Sequence, residues 1–209
     1  MIEPGSDCIR LAKEQISPAS VLLARAFFND PKLTHLIPDP KERAVRAQYL
    51  FEFELMYGMI YGDVIATSKN MEGVAVWIPS QKSEITFWRA FRSGGFRLQK
   101  QLGTEIMDRL MSFSSMVDSL HNRHVPGNHS YLFFIGVDPS FQGRGYAGRL
   151  VRPVLAQLDK KKMSCYLNTQ ERKNISLYEH FGFQVIDQVP MPGTDIIYTG
   201  MIRPPGETA

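Results

Sequence analysis

The chain alternates between stretches whose apolar residues recur every three to four positions and short stretches that are apolar throughout. From about Pro40 to Tyr61 the apolar residues include Ala44, Ala47, Tyr49, Leu50, Phe53, Met56, Tyr57 and Ile60, an aromatic-rich set that predicts a long helix with one face on a sheet. Ile106, Leu110, Phe113, Val117 and Leu120 step by four, three, four and three, a second amphipathic stripe. It lies in a mostly helical segment from about 81 to 128 that Gly94-Gly95 and Gly103 divide into pieces. A third stripe runs from Ala147 to Leu158, with Pro153 inside it removing one backbone hydrogen bond. Ser17-Pro18 reads as a helix start, with Ser at the N-cap and Pro in the first turn, and Asn29-Asp30-Pro31 as its end.

The strands are shorter. Ile9 to Leu11 is a candidate first strand. Val64 to Ser68 and Gly73 to Ile78 read as a hairpin. Tyr131 to Val137 is apolar at every position, as a central strand buried on both faces requires. Cys165 to Leu167 gives another strand. Asn174 to Phe181 is a short helix, and Phe183 to Val189 and Ile196 to Ile202 close the chain as antiparallel strands. With no repeat, low-complexity tract or linker, one domain over 1–209 is the simplest reading.

Composition narrows the function classes. Of 209 residues, 24 are Lys or Arg and 21 Asp or Glu, a net charge of +3 without a long basic run, which argues against a nucleic-acid partner. The two cysteines, Cys8 and Cys165, are too few for a disulfide framework. None of the five histidines has zinc-ligand spacing with a cysteine pair; His121 and His124 read as exposed polar residues near a helix end, and no metal is expected. The first residues lack a basic and an apolar export region, and the longest apolar run is far short of a bilayer span. No membrane association and a cytoplasmic location are expected.

The chemistry concentrates in Val137-Asp-Pro-Ser-Phe-Gln142-Gly143-Arg144-Gly145-Tyr146-Ala147, which joins the buried strand to the third amphipathic helix. Gly143 and Gly145 let backbone approach a ligand closely. The helix start offers unpaired N–H groups and the positive end of the helix dipole, an anion site to which Arg144 adds charge. A nucleoside-triphosphate loop would need Gly-Lys-Ser/Thr, and the Lys is absent. Gly143-x-Gly145-x-x-Gly148 matches a dinucleotide fingerprint by letter, but four candidate strands precede it and no acid follows at about twenty residues.

Gln142-x-x-Gly145-x-Ala147, with Val137-x-Pro139 before it and Asn174-Ile-Ser-Leu-Tyr178-Glu-His-Phe181-Gly182-Phe183 after it, resembles the two cofactor segments of the GCN5-related N-acetyltransferase (GNAT) superfamily. The resemblance implies an α/β (α+β) fold, with a central mixed, mostly antiparallel splayed sheet flanked by helices, and a helical insertion at about 81–128. It implies acetyl-CoA as cofactor. Backbone groups of Ile135 and Val137 would pair with the pantetheine arm like an added strand. The segment Gln142, Gly143, Arg144, Gly145, Tyr146 and Ala147 would hold the pyrophosphate, Asn174 the pantetheine amide, and Tyr178 would sit by the sulfur as general acid. A primary amine, of a small molecule rather than a protein, would attack the acetyl carbonyl directly, with the Val137 N–H stabilising the oxyanion. No base stands out among Asp138, Glu72 and His129. Relatives that read similarly place an acid before the strand-end Thr where this chain has Asn168-Thr169, so its acceptor is expected to differ. A non-catalytic acyl-CoA-binding module is the alternative, and a homodimer is compatible with the family.

Overall fold

The computed structural model describes residues 2–125 and 127–206. Seven strands form one sheet: β1 (Ile9–Arg10), β2 (Asp63–Ala66), β3 (Gly73–Pro79), β4 (Ser130–Val137), β5 (Cys165–Thr169), β6 (Gln184–Pro190) and β7 (Ile197–Arg203). Their spatial order is β1-β2-β3-β4-β5-β7-β6. Every neighbouring pair is antiparallel except β4–β5, so the mixed, mostly antiparallel sheet is as expected. β7 folds back between β5 and β6, an order that the sequence of elements did not reveal.

The helices are α1 (Ile16–Ala26), α2 (Pro31–Leu36), α3 (Pro40–Tyr61), α4 (Phe87–Arg92), α5 (Gly95–His124), α6 (Tyr146–Lys160) and α7 (Ile175–His180). α3 has the bounds that the sequence predicts, because Asp39 caps Lys41 N–H, Pro40 occupies the first position and Gly62 follows its end. α1 starts earlier than expected. A 3-10 turn over Lys13–Gln15 runs straight into it, so Ser17 lies inside the helix and Gln15 takes the cap position. Asp30 does not merely end α1. It caps α2, an extra helix, accepting from the N–H groups of Lys32 and Leu33.

Period-two alternation in β3 sorts two cores. Val74, Val76 and Ile78 pack with α1, α3 and α5, while Ala75 and Trp77 pack with Leu150, Val151 and Val154 of α6. α1 reaches β4 closely because Gly136 has no side chain: a Cβ there would lie 2.5 Å from Leu23 Cδ2. No described helix is long and apolar enough to cross a membrane.

Candidate active site

β4 and β5 pair in register only at Ser130–Cys165 and Tyr131–Tyr166. Beyond Tyr131 they part, so the β5-facing edge of Leu132–Val137 has no strand partner among the described residues. A register shift in the β3–β4 pairing leaves Phe133 as an extra residue on β4, and such a bulge re-aims the strand that follows. The gap explains a departure from expectation. β4 is buried at Tyr131 and Leu132 but only half-buried at Phe133, Phe134 and Ile135, because these side chains border a cavity of about 660 Å3 rather than packed core.

The structure brings Ile135, Asn174 and Tyr178 together on this cavity. Tyr178 stands on α7 and packs edge to face on Phe183 at 6.1 Å. Burial pushes its phenol well above the usual tyrosine value, and the nearby Asp30 carboxylate adds to the shift. Asn174 ends the 3-10 turn that leads into α7. The turn from Gln142 to Ala147 lies at the far end of the β4 edge and outside the cavity wall. Gly143 and Gly145 have φ of +76° and +80°, and nothing lies within 4 Å of where a Cβ would stand, so both required left-handed residues face open space. Gly145 is the N-cap of α6, with Tyr146 and Ala147 in its first turn. Arg144 lies over the Phe141 ring at 5.5 Å. Gln142 turns inward instead: its Nε2 donates to the Val137 carbonyl at 3.1 Å, tying the turn to the strand end.

The residues considered as bases do not line the cavity. Asp138 accepts from Arg25 Nε at 3.1 Å and from the Ser140 N–H, which hold its carboxyl below the usual range. Glu72 accepts from the Thr67 and Ser68 hydroxyls, which also lower it. His129 is buried. Its Nδ1–H donates to the Gly127 carbonyl, which leaves its Nε2 to accept from His121 Nε2, 2.7 Å away. His121 is therefore not exposed, as its place near a helix end suggested, but buried and stacked on Tyr166 at 4.2 Å. His124, three residues on, meets a carboxylate instead, Asp187 at 2.8 Å. Among the described residues no group of three or more His, Cys, Asp or Glu could hold a metal ion.

Four other carboxylates do border the cavity: Asp30, Glu54, Glu84 and Asp118. Glu54 is buried and paired with Lys32 at 3.3 Å. Burial, with Glu84 nearby, pushes Asp118 up to about 6. Sequence reasoning missed all four. Glu54 carried a signal, since it interrupts the apolar face of α3 between Leu50 and Tyr57. Asp118 carried none of that strength, because it follows Val117 on an otherwise ordinary polar flank.

Residues 105–183 match the sequence model of the Acetyltransferase (GNAT) family. Over that segment the chain is similar to this family. An uncharacterised N-acetyltransferase of Schizosaccharomyces pombe is 27% identical over 182 residues, spanning 83% of this chain and 72% of its own. The same fold occurs in a Corynebacterium glutamicum structure described as histone acetyltransferase HPA2 and related acetyltransferase, with a TM-score of 0.70, 20% identity, and 100% and 99% of the two chains covered. It also occurs in the Drosophila melanogaster polyamine N-acetyltransferase that forms N-acetylagmatine, with a TM-score of 0.62, 13% identity, and 94% and 98% covered. The splayed β4–β5 gap and the glycine turn of this chain thus sit on a fold shared along its whole length.

Proposed function

We propose that this chain is an acetyl-CoA-dependent N-acetyltransferase of the GNAT family that acetylates a primary amine of a small molecule by direct attack. The observation that carries the reading is the parting of β4 from β5. It leaves an unpaired strand edge leading to the Gly143–Gly145 turn, with Asn174 and Tyr178 across the gap. The fit to the cofactor rests on that edge and on the open space before the two left-handed glycines, where a side chain would otherwise stand.

Acetyl-CoA supplies an acetyl thioester whose carbonyl carbon the amine attacks. The β4 edge, at Ile135 and Val137, would offer main-chain groups to the pantetheine arm and an N–H to the carbonyl oxygen as charge develops on it. The N–H groups from Gly143 to Ala147, with Arg144, would hold the pyrophosphate at the start of α6. Asn174 would bond the pantetheine amide. Tyr178 would carry the proton that the departing sulfur takes up. Its burial keeps the phenol protonated at neutral pH, ready to give up a proton only as the thiolate departs. The amine's proton would leave through a cavity carboxylate, Asp30, Glu54 or Asp118.

Thiol release from acetyl-CoA, followed against a panel of primary amines, tests the reading. Amine-dependent release that parallels acetylated product is the expected result. Binding of acetyl-CoA with no release for any amine would leave a module that binds acyl-CoA without chemistry.

A further inference from the structure

The helical segment between β3 and β4 exposes more aromatic surface than packing requires. Phe87, Phe91 and Phe96 are 68%, 49% and 63% exposed. The same three rings line the cavity. They form one array through edge-to-face contacts: Phe91 on Phe96 at 5.5 Å, and Trp88 on Phe87 and Phe91 at 5.4 and 6.3 Å. Gly94, with φ +93°, makes the turn between α4 and α5 that sets Phe91 against Phe96. Single exposed apolar residues are ordinary, but a contiguous aromatic strip continuing from solvent into a cavity is a surface that a ligand completes. Deeper inside, Phe51, Phe53 and Phe113 extend the apolar wall.

The charge on the lining that is not paired off has one sign. Its only cation is Lys32, already paired with Glu54, whereas Asp30, Glu84 and Asp118 make no salt bridge among the described residues. A cavity with that balance favours a cationic guest over an anionic one.

We infer that the acceptor is a primary amine with a long apolar body. Its ammonium end enters among the cavity carboxylates, and its body lies along Phe87, Phe91 and Phe96, which act as specificity residues. The inference rests on the acetyl-transfer reading and names the substrate class of that same cavity.

The test uses straight-chain primary alkylamines from ethylamine to decylamine. Their binding to the full chain saturated with coenzyme A is measured by calorimetry, and their kcat/KM by thiol release from acetyl-CoA. Both are expected to improve with length, by up to about fourfold per methylene that reaches apolar surface. Phe87→Ser with Phe91→Ser, at exposed positions that folding tolerates, is expected to cut the decylamine-to-ethylamine ratio by about tenfold or more, since several methylenes lose their contacts. A flat series, or a gradient that the double substitution leaves unchanged, overturns the inference. A gradient in binding without thiol release keeps the amine site and removes the acetyl-transfer reading. Release from short polar amines such as agmatine, without a length gradient, does the reverse. If sedimentation shows a dimer that the double substitution dissociates while the length ratio is unchanged, the aromatic strip covers a second copy and the proposal fails.

Discussion

At the scale of single residues, Tyr178 and the His121–His129 pair show how burial sets chemistry, with a neighbouring group adding to it. Tyr178→Phe removes one hydroxyl and keeps the packing on Phe183. We expect kcat to fall about a hundredfold or more, the usual worth of a positioned proton donor, with acetyl-CoA affinity retained. Unchanged turnover in steady-state assays would strip the residue of that role. The histidines make a different prediction. Burial lowers both, His121 to about 4, with His129 beside it as a further cause. Between that value and the ordinary 6.5 the unfolded chain binds protons that the folded chain does not, so stability falls as pH falls through this window. At pH 5 the loss from His121 is about 2 kcal/mol relative to pH 7. Urea unfolding at the two pH values should show it, and His121→Gln with His129→Gln should flatten it. An equal drop in that variant would assign the acid sensitivity elsewhere.

At the scale of elements, α1 lies against β4 at a spacing that leaves no room for a side chain at Gly136. A Cβ at this position would meet Leu23 at 2.5 Å and Phe27 at 3.0 Å, both in the packed layer between helix and sheet. Gly136→Ala is therefore expected to cost about 1–3 kcal/mol in denaturant unfolding, the range for overpacking a close-packed core. The same substitution shifts the strand edge beside Ile135 and Val137, so acetyl-CoA affinity should weaken with it. Stability equal to that of the native chain would show that α1 moves away freely. Element boundaries were legible where cap, proline and glycine signals agreed. α3 began and ended at its cap, its Pro and its glycine. α1 did not, because a 3-10 turn with no sequence signature extended it backward past the Ser-Pro pair.

At the scale of the whole molecule, the cofactor reading makes a bulk prediction. A ligand that binds only the folded chain stabilises it by about 2.7 kcal/mol at one hundred times its Kd. For a chain of this size that amounts to a rise in Tm of roughly 5 to 10 °C. Scanning calorimetry with and without acetyl-CoA should show that rise. Its absence at saturating acetyl-CoA would remove the cofactor from the account.

The sequence by itself determined the parts that depend on neighbours along the chain. The Gln142–Ala147 turn was readable because two left-handed glycines at a strand-to-helix junction are a local requirement. The sheet and its flanking helices were readable because apolar periodicity is local too. Only the tertiary structure decided which residues face one another across distance. β7 entered between β5 and β6. The β4–β5 pairing stopped after two residues and opened the cavity. Glu54 and Asp118, 64 positions apart in the chain, came to line one space. His121 and His129 left solvent for each other. Each of these outcomes follows from burial and non-local pairing, which no single stretch of sequence encodes.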